Sequence, residues 1–234
     1  MAIIYLIRHG QASFGQDNYD RLSDLGHTQA TRLGEVLSRR LDKFDAISLG
    51  SMYRHEETAT NFLKAYDAGY AESNPQVNPG FNEYNHQEIM RVYRPEYSTA
   101  RDMMVFIHQQ DDPKAFFEQE FNAAMNRWIS GKFDDQYSES WQDFNNRVHG
   151  ALDSVIENNM GAKSIAVFTS GGPISLISQS LLGVDAHRIM HMNWTLMNCG
   201  VTKVVTTGSR RFLASLNEHT HFEGADNKHL ITYT

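Results

Sequence analysis

Short apolar runs followed by helical patterns constrain the fold of this chain more than any other feature of its sequence. Residues 3–7, 45–50 and 164–169 have the length and apolar character of buried strands. Ser23 is placed to cap a helix after the first run. Apolar residues then recur at helical spacing in two stretches: Leu25, Ala30, Leu33, Leu37 and Leu41, and later Ala59, Phe62, Leu63 and Tyr66. This alternation predicts an α/β fold with a mostly parallel sheet and helices on both faces.

The stretch from residue 81 to residue 137 departs from that alternation. It contains no convincing strand, and aromatic residues, Met and Gln are frequent in it. We predict one domain over residues 1–234 with a mostly helical insertion at about 81–137, followed by a long helix that returns the chain to the sheet. Several aromatic residues of this region either shape a substrate mouth or belong to the core: Tyr84, Tyr93, Tyr97, Trp128 and Trp141.

The C-terminal part carries a hairpin pattern. Residues 201–206 and 211–216 read as strands on either side of Gly208 and Ser209, which predicts an antiparallel addition to one edge of the sheet. The last dozen residues are polar, and we predict a loose tail there.

Composition excludes some classes of protein. A formal net charge of −7 argues against non-specific binding to nucleic acid, and no apolar run is long enough for a membrane span, so we expect neither partner. Cys199, the single cysteine, cannot form an internal disulfide. Its presence as a lone thiol fits a reducing compartment, and we expect a cytoplasmic protein.

Short segments that contain polar residues and glycines come at or just after the ends of three predicted strands. These are Arg8-His9-Gly10, Ser51-Met52-Tyr53-Arg54 and Ser170-Gly171-Gly172. The carboxyl ends of parallel strands meet at one edge of a sheet, where α/β proteins bind ligands. Two arginines, a histidine and helix N-termini at that edge would suit a phosphate group.

These motifs resemble, in order, those of the histidine phosphatase superfamily, which is also called phosphoglycerate-mutase-like. The resemblance spans nearly the whole chain and rests on four segments: residues 6–12 (Leu-Ile-Arg-His-Gly-Gln-Ala), residues 22–30, residues 51–54 with Thr58 and Ala59, and residues 81–84 (Phe-Asn-Glu-Tyr). It implies a phosphatase for a small phosphorylated substrate, without a metal or other cofactor. It implies His9 as the nucleophile that forms a phosphohistidine, Arg8 and Arg54 as phosphate ligands, and Glu83 as the general acid and base.

Position 170 departs from the family pattern, because the second histidine expected before the two glycines is Ser170 here. A serine donates one neutral hydrogen bond and no charge, so we expect weaker transition-state stabilisation and a slow enzyme. His86 and His191 are candidate replacements by residue type alone. Ser170, Gly171 and, more weakly, Ser13 are predicted to contact the phosphate. Six histidines are predicted to be structural or exposed rather than metal ligands: His55, His86, His108, His191, His219 and His221.

Two other functions remain open at this point. One is a non-catalytic module that binds phosphate or a phosphoprotein, and the other is a phosphotransferase of the phosphoglycerate mutase type. A third idea, Ser170 as a hydrolase nucleophile, has little support because Phe168 occupies the first glycine position of the G-x-S-x-G pattern. Oligomeric state does not follow from the sequence.

Overall fold

Six strands form one sheet in the part of the chain that the computed structural model describes, which comprises residues 1–13, 20–66 and 74–233. They are β1 (Ala2–Arg8), β2 (Ala46–Leu49), β3 (Gln76–Val77), β4 (Ser164–Thr169), β5 (Val201–Thr207) and β6 (Arg210–Glu218). Their order is β3-β2-β4-β1-β5-β6. The pairs β3–β2, β2–β4 and β4–β1 are parallel, whereas β5 is antiparallel to both β1 and β6. The predicted mostly parallel sheet and its C-terminal antiparallel hairpin are confirmed.

The central strands are covered on both faces. All six residues of β4 are buried, and alternate residues of the strand enter two different hydrophobic clusters. Ile165 and Val167 belong to one cluster, and Ala166 and Phe168 belong to the other, as the two-residue repeat of a strand requires. A strand buried on both faces has to be apolar throughout, which is why the pattern could be recognised in the sequence.

Helices α1 (Asp24–Leu37) and α2 (Tyr53–Tyr66) cover one face of the sheet. Ser23 caps α1 as predicted, since its hydroxyl accepts a hydrogen bond from the backbone N–H of Gly26. The predicted apolar faces of both helices are buried against β1 and β4 in one cluster, which includes Ala30, Leu33, Phe62 and Leu63.

The remaining helices belong to the middle and to the opposite face. They are α3 (His86–Tyr93), α4 (Ala100–His108), α5 (Pro113–Ile129), α6 (Trp141–Asn158), α7 (Gly171–Leu182) and the short α8 (Ile189–Asn193). The region predicted as a helical insertion therefore contains α3, α4 and α5. The five aromatic residues considered for a substrate mouth are part of the core: Tyr84, Tyr97 and Trp128 are buried, and Tyr93 and Trp141, the latter at the start of α6, pack against the same cluster.

The C-terminal segment is docked, so the prediction of a loose tail is wrong. Phe222 and Leu230 are buried, and residues 220–222 and 225–230 form 3₁₀ turns. Gln29 Nε2 in α1 donates to the Leu230 carbonyl and to Thr232 Oγ1, both at 2.8 Å. A few apolar anchors among polar residues are sufficient to hold the segment, and a count of polar residues does not reveal them.

No helix among the described residues has the length and apolar character needed to cross a membrane.

Candidate active site

The parallel register brings the predicted site residues to one edge of the sheet. Arg8 pairs with Thr169, and Leu49 pairs with Phe168, so β1, β4 and β2 end side by side. The residues that directly follow these strands are His9, Ser170 and Gly50, and they therefore lie at the same edge of the sheet.

His9 is buried and its ring orientation is fixed by a hydrogen bond. Its Nδ1 lies 2.7 Å from the carbonyl oxygen of Gly10. A carbonyl can only accept, so Nδ1 carries the proton and the lone pair is left on Nε2. Burial, followed by the charges of Arg54 and Arg8, holds the pKa of His9 well below its usual range. The imidazole is thus a neutral base with one free nitrogen lone pair.

The loop after β1 is held by backbone and side-chain contacts on two sides. Gly10 N–H donates to Thr58 Oγ1 at 3.0 Å, and Asn198 Nδ2 donates to the His9 carbonyl at 3.1 Å. Gly10 also lies directly on α1, because a Cβ there would stand 2.5 Å from the Gly26 carbonyl oxygen. A Cβ at Gly26 would likewise stand 2.2 Å from the Gln11 carbonyl oxygen, so the close contact between this loop and α1 requires glycine at both position 10 and position 26.

Arg54, the second residue of α2, is buried with its guanidinium at the site. Its Nη1 forms an ion pair with Asp20 Oδ1 at 2.8 Å, and the other oxygen of Asp20 accepts from the Tyr53 backbone N–H at 3.0 Å. Its Nε–H has no hydrogen-bond partner among the described residues. A buried donor without a partner is costly, and an anion bound at this edge could accept from it.

Arg8 extends from the end of β1 towards the start of α7. Its Nη1 donates to the carbonyl oxygens of Leu196 and Tyr233. A Cβ on Gly171 would lie 3.6 Å from Arg8 Nε, so the guanidinium passes close to the first turn of α7. The charges of Arg8 and Arg54 both lower the pKa of His9 and that of Glu83, so both cations act electrostatically on both groups.

Glu83 follows a 3₁₀ turn (Pro79–Phe81) and reaches the N-terminus of α7. The backbone N–H of Gly172 lies 3.1 Å from each carboxyl oxygen. A Cβ at residue 172 would stand 2.0 Å from Glu83 Oε1, so the second glycine is needed for this approach. Burial raises the pKa of Glu83 above its usual value, and the Gly172 N–H and the arginines oppose that shift. The carboxyl group therefore keeps its proton to higher pH than an ordinary glutamate does.

The remaining predicted residues have the following positions. Gly171 is in the first turn of α7, beside Arg8. The Ser13 hydroxyl donates to the Leu22 carbonyl at 2.8 Å, so its proton is engaged in the loop in this conformation. Ser170 is fully buried, and its Oγ lies 2.7 Å from His55 Nε2.

The two histidines suggested as replacements for the second histidine differ in environment. His191 is exposed on α8. His86 is partly buried at the start of α3, and burial together with the Arg54 charge lowers its pKa.

Sequence reasoning did not assign His55, Thr58 or Asp20 to this edge. His55 is fully buried, and the centroid of its ring lies 5.9 Å from that of His9. A usable signal was its position directly after Arg54, since residues in one turn at the start of a helix share the same sheet edge. Within the described ranges, no group of three or more His, Cys, Asp or Glu side chains is arranged to hold a metal ion.

Comparisons with known proteins identify the family and the fold of the chain. The sequence pattern of the "Histidine phosphatase superfamily (branch 1)" matches residues 4–219. A search of curated proteins found no match. The fold is shared with phosphoserine phosphatase from Entamoeba histolytica in complex with phosphoserine (TM-score 0.66, 17% identity, 95% of this chain and 100% of that chain). It is also shared with phosphoglycerate mutase from Bacillus anthracis (TM-score 0.63, 17% identity, 94% of each chain).

A third solved structure of the same fold is mycobacterial glucosyl-3-phosphoglycerate phosphatase (TM-score 0.59, 19% identity, 93% of this chain and 99% of that chain). At these identities the structures establish the shared fold, whereas the sequence match over most of the chain establishes the family. The chain belongs to branch 1 of the histidine phosphatase superfamily.

Proposed function

We propose that the protein is a phosphatase that hydrolyses small phosphomonoesters through a phosphohistidine on His9. The observation that carries the proposal is the state of the His9 ring. Its Nδ1–H is held by the Gly10 carbonyl, which leaves the Nε2 lone pair for attack on phosphorus. Arg8 and Arg54, whose charges act on this ring, supply the positive charge that a phosphoryl group requires.

In the first step, His9 Nε2 forms a bond to phosphorus and the bond from phosphorus to the ester oxygen breaks. Glu83 gives its proton to the departing oxygen, which leaves as an alcohol. Arg8 and Arg54 hold the phosphoryl oxygens, and the free Nε–H of Arg54 donates to one of them while Nη1 stays on Asp20. The Gly10 carbonyl stabilises the positive charge that the phosphorylated imidazole carries at Nδ1–H.

In the second step, a water molecule attacks the phosphohistidine. Glu83, now a carboxylate, takes the proton of the water, and the bond between His9 Nε2 and phosphorus breaks. Inorganic phosphate leaves, and His9 and Glu83 return to their neutral states. The single backbone N–H of Gly172, which is shared between the two carboxyl oxygens, keeps Glu83 in place through both steps.

The placement of Glu83 favours catalysis over simple phosphate binding. A binding module gains nothing from a carboxyl group beside a bound anion, because a carboxylate repels phosphate. Here the Glu83 carboxyl group accepts a hydrogen bond from the Gly172 N–H in the first turn of α7, and burial favours the protonated form that can act as an acid. Hydrolysis is also favoured over mutase chemistry, since the serine at position 170 gives less support to a long-lived phosphoenzyme.

The test is the hydrolysis of p-nitrophenyl phosphate and of phosphoserine by the wild type and by His9→Ala. We expect turnover in the wild type and a loss of at least ~10³-fold in the variant, because the nucleophile is absent. The matched control is His108→Ala, which removes an exposed histidine at the end of α4 and is expected to retain full turnover.

An alkaline quench followed by mass spectrometry adds a direct readout, since a phosphohistidine survives alkali. A phosphoryl group on the peptide that contains His9 is expected. Wild-type protein without turnover on any phosphomonoester, or His9→Ala with full activity, would refute the proposal.

A further inference from the structure

Ser170 is the residue before α7, and its side chain does not play the usual part of a serine at that position. Serine is a preferred helix N-cap because its oxygen can accept from a backbone N–H of the first turn. No such bond is formed here. The hydroxyl is fully buried and lies 2.7 Å from the Nε2 atom of His55.

The His55 ring is accommodated by two small residues from other elements. Gly50, directly after β2, lies against the Nδ1 side of the ring, and a Cβ at that position would stand 2.2 Å from Nδ1. Ser170 lies at the Nε2 side. Gly50 and Ser170 thus leave between them the space that the imidazole fills, next to the ring of His9.

Counting protons shows what this pair can do. A hydroxyl has one proton and two lone pairs. When Nε2 of His55 carries a proton, it donates to Ser170 Oγ, and the hydroxyl proton is left for a third group. When Nε2 lacks a proton, it accepts the hydroxyl proton, and Ser170 has nothing to donate. The imidazole therefore controls whether Ser170 is a donor.

We propose that His55 and Ser170 together replace the single histidine expected at position 170, with His55 Nε2–H donating to Ser170 Oγ and Ser170 Oγ–H donating to a phosphoryl oxygen. His55 is then a positioning residue, because it acts on the phosphoryl group only through Ser170. This inference rests on the proposed function, since it assigns a donor to the same phosphoryl site.

The electrostatic surroundings suit such a pair. Burial and the neighbouring Arg54 charge lower the pKa of His55, so the ring is neutral in the empty site. His9, also neutral, is the other titratable group shown to interact with it. A phosphoryl dianion would add negative charge next to the pair and favour a proton on the imidazole. Bound substrate would thereby strengthen the donor that holds it.

The test exchanges the two positions. His55→Ala is expected to lower kcat by ~10²–10³-fold, the usual loss for one preorganised donor, with a smaller change in KM. Ser170→His alone is also expected to lose activity, because with the serine's χ1 the new ring would enter the space that His55 fills. In the double variant His55→Ala/Ser170→His, the imidazole at position 170 can occupy the space that the His55 ring has left. This variant is expected to recover at least tenfold in kcat over His55→Ala.

The matched control is Ser178→Ala, which removes another buried hydroxyl from α7, one without a hydrogen-bond partner among the described residues. It is expected to leave kcat unchanged. Melting temperatures of all the variants separate folding from function. A double variant that regains melting temperature but not kcat shows a purely structural pair and overturns the proposal, as does an unchanged kcat in folded His55→Ala.

Binding of inorganic phosphate distinguishes this proposal from the proposed function. If the wild type has no turnover, the proposed function fails, but the effect of the His55–Ser170 pair on the affinity for inorganic phosphate can still be measured. Calorimetry should then show weaker phosphate binding in His55→Ala and recovery in the double variant. Equal affinity in the wild type and His55→Ala would overturn the proposal even if the enzyme is active.

Discussion

At the residue scale, burial moves the protonation of His9 and of Glu83 in opposite directions. A low-dielectric surrounding disfavours the charged form of any group, so it lowers the pKa of an imidazole and raises that of a carboxyl group. Both shifts are present here. The neutral imidazole is the form that can attack, and the neutral carboxylic acid is the form that can donate a proton. One physical cause thus prepares both partners of the proposed reaction.

Glu83→Gln should therefore affect substrates according to their leaving groups. We expect kcat/KM to fall by ~10²–10⁴-fold for phosphoserine, whose alkoxide must be protonated as it leaves. The loss should be smaller for p-nitrophenyl phosphate, since its phenolate leaves without help. Because the pKa of Glu83 is raised and its acid form is the active one, kcat/KM of the wild type should fall as pH rises through that pKa. This alkaline decline should vanish in the variant.

Glu96→Gln, which changes an exposed carboxylate near the end of α3, serves as the control for that experiment. Equal losses for the alkyl and the aryl substrate would show that Glu83 has no role in protonating the leaving group. Persistence of the alkaline decline in Glu83→Gln would assign it to another residue.

The site residues that sequence analysis found all lie within short motifs, whereas the missed residues depend on contacts between motifs. His9, Arg54 and Glu83 could be chosen because each belongs to a recognisable local pattern. The contact between His55 and Ser170 joins residues that are 115 positions apart. Its existence depends on the packing of α2 against the end of β4, which periodicity and spacing do not specify.

At the element scale, α1 and α2 approach each other backbone to backbone. A Cβ at Gly34 of α1 would lie 2.3 Å from the Phe62 carbonyl oxygen in α2. The apolar stripes of both helices were visible in the sequence and predicted which faces are buried. The short distance between the two helices could not be predicted in this way, because it depends on the absence of a side chain at Gly34 and not on an apolar side chain that a pattern would show.

Two glycine-to-alanine changes in helices should consequently have opposite effects. Gly34→Ala should destabilise the protein by about 1–3 kcal/mol, because the added methyl group forces α1 away from α2. Gly150→Ala is the matched control in α6, where nothing lies within 4 Å of the added Cβ. It should stabilise by about 0.5–1 kcal/mol through the better helix propensity of alanine. Urea unfolding of both variants measures the two changes, and destabilisation of equal size in both would contradict the argument.

At the scale of the whole molecule, one chain of hydrogen bonds connects the start of the protein to its end. Gln11 N–H donates to Gln29 Oε1, and Gln29 Nε2 donates to Thr232 Oγ1. Thr232 Oγ1 donates to Asn198 Oδ1, and Asn198 Nδ2 donates to the His9 carbonyl. The loop that carries His9 is therefore fixed by α1, by the residues before β5 and by the C-terminal segment together.

Buried neutral histidines should make the folded state sensitive to acid. The pKa of His221 is lowered by burial from 6.5 to about 4. The unfolded chain thus binds a proton at higher pH than the folded one does. The neutral His221 side chain therefore contributes fully to the stability of the folded state above pH 6.5, and this contribution is lost as pH falls from 6.5 towards 4. Between about pH 7 and pH 5 this single group accounts for a loss on the order of 2 kcal/mol.

Urea unfolding of the wild type and His221→Gln at those two pH values tests this expectation. The variant should lose less stability on acidification than the wild type does. His229→Gln, a change at an exposed histidine, should keep the wild-type pH dependence. An unchanged pH dependence in His221→Gln would show that other groups govern the acid response.

The contact between positions 55 and 170 also limits how this protein can evolve. Two imidazoles, one on each position, would compete for the same space, so the two histidines exclude each other. A lineage that moves its histidine from one position to the other passes either through a form with two crowded imidazoles or through a form that has neither, and we expect low activity in both. The exchange therefore needs two substitutions, and the first of them alone is expected to lower activity. The effect of the residue at either position can be interpreted only when the residue at the other position is known.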